Sequence, residues 1–149
     1  MRASRPTRHR RRRGRETGPP PGAGAGRPGG SRADVVVSNC VLNLVPDKQK
    51  AFSEIFRILK PGGHFSISDI VLEGELPEKW KQVAELYAGC VSGAIQKSEY
   101  LSIVDEAGFK NRILQKDKTI NIPDDILANY LLAEEIEAYK KGKTRIASI

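Results

Sequence analysis

The chain has 149 residues and a formal net charge of +7, and that charge is unevenly placed. Residues 1–32 hold ten Arg and one Glu, a net charge of about +9, with no Val, Ile, Leu or Phe. Because such a segment has nothing to bury, we expect a disordered Arg/Gly/Pro-rich tail over 1–32 and a folded domain over 33–149. Two cysteines and no long apolar run exclude a disulfide scaffold, a signal peptide and a membrane span, and indicate a cytoplasmic setting.

The first folded elements are predicted from an apolar run followed by a helical repeat. "ADVVVSN", from residue 33, has the continuous β-branched run of a strand that is covered on both faces. Apolar residues recur at helical spacing in "PDKQKAFSEIFRILK", and Pro61 should end that helix at Lys60. "HFSISDIV" then predicts a second strand. Strand, helix and strand joined by short turns predict a parallel, right-handed βαβ unit.

The rest of the chain predicts more helices and short strands. A helix is expected in "LPEKWKQVAELYAGCVSG", and another in "KSEYLSIVDEAGF", with Ser98 as its N-cap and Gly108 at its end. We expect one or two strands in "NRILQKDKTINI", a single helix in "PDDILANYLLAEEIEAYKK" and the start of a strand in "TRIASI". The fold class is therefore α/β.

Polar residues follow the two predicted parallel strands. In open parallel sheets, ligands bind beyond the carboxyl ends of the strands. Ser38, Asn39 and Cys40 lie at one such end, and Ser68 and Asp69 at the next. Cys40 is therefore placed for contact with a ligand, although a small buried apolar role is the usual one for a free cysteine.

The second cysteine, Cys90, strengthens the hypothesis that Cys40 contacts a ligand. Two thiols that converge on one pocket can hold a soft, thiophilic ion. The spacing of two to four residues found in zinc-binding cysteine pairs is absent, which argues against a structural zinc site. No Ser-His-Asp set or phosphate-binding loop can be assembled from the remaining residues.

Longer motifs carry a family resemblance. "ADVVVSNCVLNLVPDKQKAFSEIFRILKPGGHFSISDIV" resembles the second half of a class I S-adenosylmethionine-dependent methyltransferase. "SNCVLNLVPDK" and "ELYAGCVSGAI", in this order and at this separation, resemble the arsenite methyltransferases, and the likeness covers residues 33–149. The resemblance implies a partial Rossmann-like sheet, the second half of a three-layer α/β/α sandwich.

The resemblance also implies a chemistry and its residues. A methyl group would pass from S-adenosylmethionine to trivalent arsenic held by the thiolates of Cys40 and Cys90, which serves arsenic detoxification. Ser38 and Asn39 would lie beside the methionine and sulfonium end of the cofactor. The substrate would be a small molecule, trivalent arsenic as a thiol conjugate, used with a thiol reductant and without a membrane.

Parts of the family pattern are missing from this chain. The cofactor's glycine loop and the acidic residue that holds the ribose should precede the strand at Asp34, and neither is found. We therefore expect a fragment, truncated at both ends, with an open edge at Val35–Val37, that methylates arsenite weakly or not at all. The alternatives are an inactive, thiol-based arsenic-binding fragment and a methyltransferase for another small-molecule acceptor.

The arginine run "RHRRRRGR" suggests a function of a different class from enzyme catalysis. It could bind nucleic acid or serve as a nuclear-targeting signal through phosphate contacts or a receptor. Since it has neither interleaved aromatic residues nor a folded reader, we expect no specific nucleic-acid binding.

Overall fold

The computed structural model describes residues 1–6 and 31–149, which form seven strands and five α-helices. The strands are β1 (Arg2–Ser4), β2 (Ala33–Asn39), β3 (Leu59–Ser68), β4 (Ile70–Glu73), β5 (Lys110–Ile113), β6 (Lys118–Thr119) and β7 (Arg145–Ser148). The helices are α1 (Lys48–Ile58), α2 (Glu78–Tyr87), α3 (Lys97–Glu106), α4 (Asp124–Leu127) and α5 (Ala133–Lys141). Two 3-10 turns, Leu42–Leu44 and Gly89–Val91, follow β2 and α2.

The predicted βαβ unit is confirmed in β2, α1 and β3. The two strands run parallel, and their last residues, Asn39 and Ser68, lie side by side. Helix α1 begins after Asp47, whose carboxylate accepts a hydrogen bond of 2.8 Å from the backbone N–H of Lys50. This is a standard N-cap, and it satisfies one of the free N–H groups at the start of the helix. The helix ends at Ile58, earlier than predicted, because the residues before Pro61 already belong to β3.

The strands form two sheets, of order β2-β3-β1-β5 and β4-β7-β6. Among the strand pairs of the described residues, β2–β3 is the parallel one; β1 is antiparallel to both of its neighbours, and the second sheet is antiparallel throughout. Helices α1 and α3 contact each other, and their buried residues join β3 in one apolar core. The expected α/β class with a partial sheet is confirmed.

Strand β1 differs from the expectation for the segment 1–32. Residues 7–30, including the arginine run, lie outside the described residues, so the expected disorder there stays a prediction. Residues 1–6 are described, and Arg2–Ser4 is an inner strand of the larger sheet. Composition did not indicate a strand here, because its place in the sheet requires only two inward side chains. These are Met1 and Ala3, which are 4% and 1% exposed.

Two helix boundaries also differ from the sequence prediction. The single helix expected over residues 123–141 is two helices, α4 and α5, and the second has its own start at Leu132. The carboxylate of Glu135 accepts the backbone N–H of Leu132, which stabilises that start. Ser98 is not an N-cap, because α3 already begins at Lys97, after Gln96.

Strand β2 lies at the edge of its sheet among the described residues. Within them it has a neighbour on one side only, and Val35 and Val37 are 46% and 74% exposed. Within residues 1–6 and 31–149, no helix has the length and apolar character that crossing a bilayer requires.

Candidate functional site

Cys40 lies immediately beyond the paired ends of β2 and β3. Its backbone N–H donates a hydrogen bond of 2.7 Å to the carbonyl oxygen of Ser68. Its φ is +56°, in the left-handed region, which costs a residue with a side chain about 1–2 kcal/mol. This conformation turns the chain sharply out of the sheet and into the 3-10 turn Leu42–Leu44.

Cys90 is brought to the same place by the 3-10 turn Gly89–Val91. The two turns contact each other, and Gly93, two residues after the Cys90 turn, lies against the backbone of Asn43. A Cβ added to Gly93 would lie 1.6 Å from the carbonyl oxygen of Asn43. Glycine is therefore the residue that allows the Cys90 turn to reach the Cys40 turn.

The structure brings the two cysteines close together. The Cys90 side chain is near enough to raise the pKa of the Cys40 thiol, and both cysteines are half-buried and free of disulfides. They pack against one apolar cluster, whose buried members are Ile70, Leu72, Ala84, Val91, Ala94 and Ile146. Their roles as arsenic-binding thiolates stay a prediction.

Burial, as the largest cause, and the neighbouring groups together raise the pKa of the Cys40 thiol to about 11. After burial, the causes are the hydrogen bond with Cys90 and the negative charges of Cys90 and Asp69. A thiol with this pKa is protonated at neutral pH. Any ligand that binds there must therefore take up or carry away the thiol proton.

Asp69, which the sequence placed at a strand end without assigning it a role, is a buried carboxyl group close to this site. It is fully buried, and one of its oxygens accepts a hydrogen bond from the hydroxyl of Tyr100. Burial raises the pKa of Asp69, while the Tyr100 hydrogen bond and the positive charges of Lys48 and the Met1 amino group oppose that shift. The sequence placed Asp69 at a strand end, but it held no sign of the pairing with Tyr100, 31 residues further on.

The predicted cofactor-binding residues, Ser38 and Asn39, lie beside one another at the end of β2. Ser38 is half-buried, Asn39 is exposed, and both line an open cavity of about 290 Å³. That cavity is also lined by Met1 and Ile149 and does not include either cysteine in its lining. The structure thus assembles the thiol pair and the Ser38–Asn39 pair, but not all four residues around one cavity.

A resident metal centre has no ligand set in the part of the chain that the structure describes. Within residues 1–6 and 31–149, no three His, Cys, Asp or Glu residues are grouped so that they could hold a metal ion.

The fold and the residue pattern define the class of this protein. The model of a methyltransferase domain family matches residues 28–108, just over half of the chain, and the chain belongs to that family. It is 37% identical to an arsenite methyltransferase of Halobacterium salinarum over 74% of this chain and 30% of that protein. It is 43% identical to the Homo sapiens arsenite methyltransferase over 51% of this chain and 20% of that protein.

A solved structure gives the same relationship. An arsenic(III) S-adenosylmethionine methyltransferase from Chlamydomonas reinhardtii superposes with a TM-score of 0.61 and 30% identity. The superposition covers 80% of this chain and 36% of that one. The chain thus spans about a third or less of the length of the relatives that it matches.

Proposed function

We propose that this chain takes part in the methylation of trivalent arsenic by S-adenosylmethionine, and that Cys40 and Cys90 hold the arsenic. The proximity of the two cysteines, which pack against one apolar cluster although 50 residues separate them in the sequence, carries the proposal. Thiolates are soft donors that favour a soft, thiophilic centre. The likeness to arsenite methyltransferases supports arsenic over another methyl acceptor.

Arsenic capture balances without a catalytic base. Each thiol forms an As–S bond as an As–O bond of arsenous acid breaks, and the thiol proton leaves with the hydroxide as water. With a thiol conjugate, the As–S bond to the conjugated thiol breaks instead, and the proton passes to the departing thiolate. Both routes suit a Cys40 thiol that is protonated at neutral pH. We propose that the substrate is trivalent arsenic as a thiol conjugate and that a thiol serves as the reductant. We further propose the cytoplasm as the setting.

The described residues fit S-adenosylmethionine only in part. Ser38 and Asn39 present polar groups at the end of β2, but that strand has no neighbour on its outer side among the described residues. The cofactor would supply an electrophilic methyl group to the lone pair of arsenic. Because this chain provides one wall of such a site, we propose that its own contribution is to hold and orient arsenic.

The proposal is tested by arsenite binding to the reduced, purified chain, measured by native mass spectrometry. We expect one arsenic per chain in the wild type, with loss of binding in both Cys40→Ser and Cys90→Ser. Dependence on both residues would show that one arsenic bridges the two thiols. These are the only cysteines in the chain, so no other thiol can substitute for them.

A matched control separates a bridged arsenic from ordinary thiol binding. Ser102 is exposed on α3, and Ser102→Cys in the double Cys→Ser background gives a single solvent-accessible thiol. We expect this variant to hold arsenite no better than a simple thiol does. Wild-type binding that equals this control would contradict the proposed site. Arsenic bound without methylated product would support the inactive arsenic-binding alternative.

A further inference from the structure

Strands β7 and β1, from opposite ends of the chain, lie on one line in the structure. Asp69 and Ile149 exchange two backbone hydrogen bonds, of 3.1 and 2.9 Å. Ile67 and Met1 do the same, since the Met1 amino group donates to Ile67 at 2.5 Å and Ile67 donates back at 2.9 Å. Hydrogen-bonded pairs in an antiparallel ladder recur every two residues. Met1 therefore stands two strand positions beyond Ile149.

The side chains keep their alternation across this junction. Ala147, Ile149, Met1 and Ala3 all belong to one apolar core and are 0%, 2%, 4% and 1% exposed. Arg2, between the last two, is exposed. Because the side chains of a strand alternate between faces, the two segments, 145–149 and 1–4, pack as one strand. We call them the composite strand.

The second half of the composite strand is held from both sides. It pairs with β3, where Ala3 lies opposite Phe65, and with β5, where Arg2 lies opposite Ile113. Beyond it, the backbone N–H of Arg5 donates to the carbonyl of Gly63 at 3.0 Å. The strip between β3 and β5 thus binds its strand through main-chain hydrogen bonds and through the two inward side chains of Met1 and Ala3. Any chain that carries this segment can supply these contacts.

We propose that this strip is a strand-binding site and that it accepts residues 1–4 of a second copy of this chain in place of its own. Residues 1–4 are joined to β2 only through residues 5–32. The pairing of residues 1–4 with the strip therefore does not require that the segment and the strip belong to the same molecule. Exchange of an identical element between two copies then gives a dimer in which every contact of the monomer is kept.

The first test uses a labelled peptide with the sequence MRASRPT, carrying its fluorophore at the carboxyl end because the Met1 amino group is buried. The full-length chain with Ala3→Arg cannot seat its own segment, since Ala3 is 1% exposed. We expect this variant to bind the peptide at least about tenfold more tightly than the wild type does. Arg2→Ala, which changes an exposed neighbour, is the matched control and should behave like the wild type.

A second test uses only the wild-type chain, in case the Ala3→Arg chain does not fold. Refolding at high protein concentration should give dimers by light scattering, and a large excess of the peptide should be incorporated and should suppress them. Peptide binding that is equal in all three chains, or absent from a folded Ala3→Arg chain, would overturn the proposal. Refolding that gives monomers without incorporated peptide would overturn it as well. Neither test involves the thiols, so the outcome is independent of the proposed function.

Discussion

Gly93→Ala should separate the two thiols without altering either of them. The added Cβ would lie 1.6 Å from the carbonyl oxygen of Asn43 and 2.7 Å from its carbon. Contacts below 3.0 Å between such atoms are essentially never found, so the turns must part by at least about 1.4 Å. Ligand distances at a metal or metalloid tolerate shifts of only about 0.2 Å. The change therefore exceeds what one arsenic can bridge.

The expected losses follow from that displacement. Overpacking of this size costs about 1–3 kcal/mol, equivalent to a fall of about 3–12 °C in Tm for a domain of this length. With only one thiol within reach, arsenite affinity should fall at least about tenfold, toward that of an isolated thiol. Native mass spectrometry gives the arsenic stoichiometry, and calorimetry gives Tm.

Gly89→Ala is the matched control for this prediction. Gly89 lies next to Cys90 in the same turn, and a Cβ there would meet nothing within 4 Å. We expect the free energy of unfolding to change by less than about 0.5 kcal/mol and arsenite binding to stay at the wild-type level. A folded Gly93→Ala chain that retains arsenic as the wild type does would refute the reasoning.

The remaining predictions concern the thiol pKa, the cap of α1 and turnover. Cys90→Ser should lower the pKa of Cys40 from about 11, and Asp69→Asn should lower it less, since Asp69 is the smallest of the causes; site-resolved alkylation against pH measures both. Because the pKa of the Cys40 thiol in the folded chain exceeds the ordinary thiol value of 9.0, the free energy of unfolding should fall as pH rises from 9 toward 11. Asp47→Ala should cost about 1 kcal/mol in urea unfolding by freeing the N–H of Lys50, and Asp47→Asn far less. The purified chain should bind S-adenosylmethionine weakly in calorimetry, and clear turnover of arsenite by the chain alone would contradict that expectation.

The sequence predicted well the elements whose signal is local. The β-branched run of β2 and the helical repeat of α1 each lie within about a dozen residues, and their order fixes a parallel pair. The break between α4 and α5 was missed because the helical pattern continues through it, and the capping contact of Glu135 with Leu132 is visible only in three dimensions.

The candidate site could be predicted only as far as its residue types. Composition and spacing placed Cys40 at a strand end, but no periodicity links it to Cys90, and only the family motifs paired them. Gly93 was visible as part of a glycine-rich bend, while its contact with Asn43 depends on how two distant turns meet. Strand β1 was missed because three residues carry no usable pattern and their partners lie about 60 residues away.

The thiol site and the composite strand meet at the same end of β3. The carbonyl of Ser68 accepts the N–H of Cys40, and the next residue, Asp69, is paired with Ile149. The position of the Ser68 carbonyl, and with it the turn at Cys40, therefore depends on the strands on both sides of β3. Displacing β1 should loosen that end of β3 and weaken arsenite retention without touching either thiol. Replacing Cys40 by Ser removes no strand pairing, so it should leave peptide exchange unchanged, and this asymmetry distinguishes coupling through β3 from general unfolding.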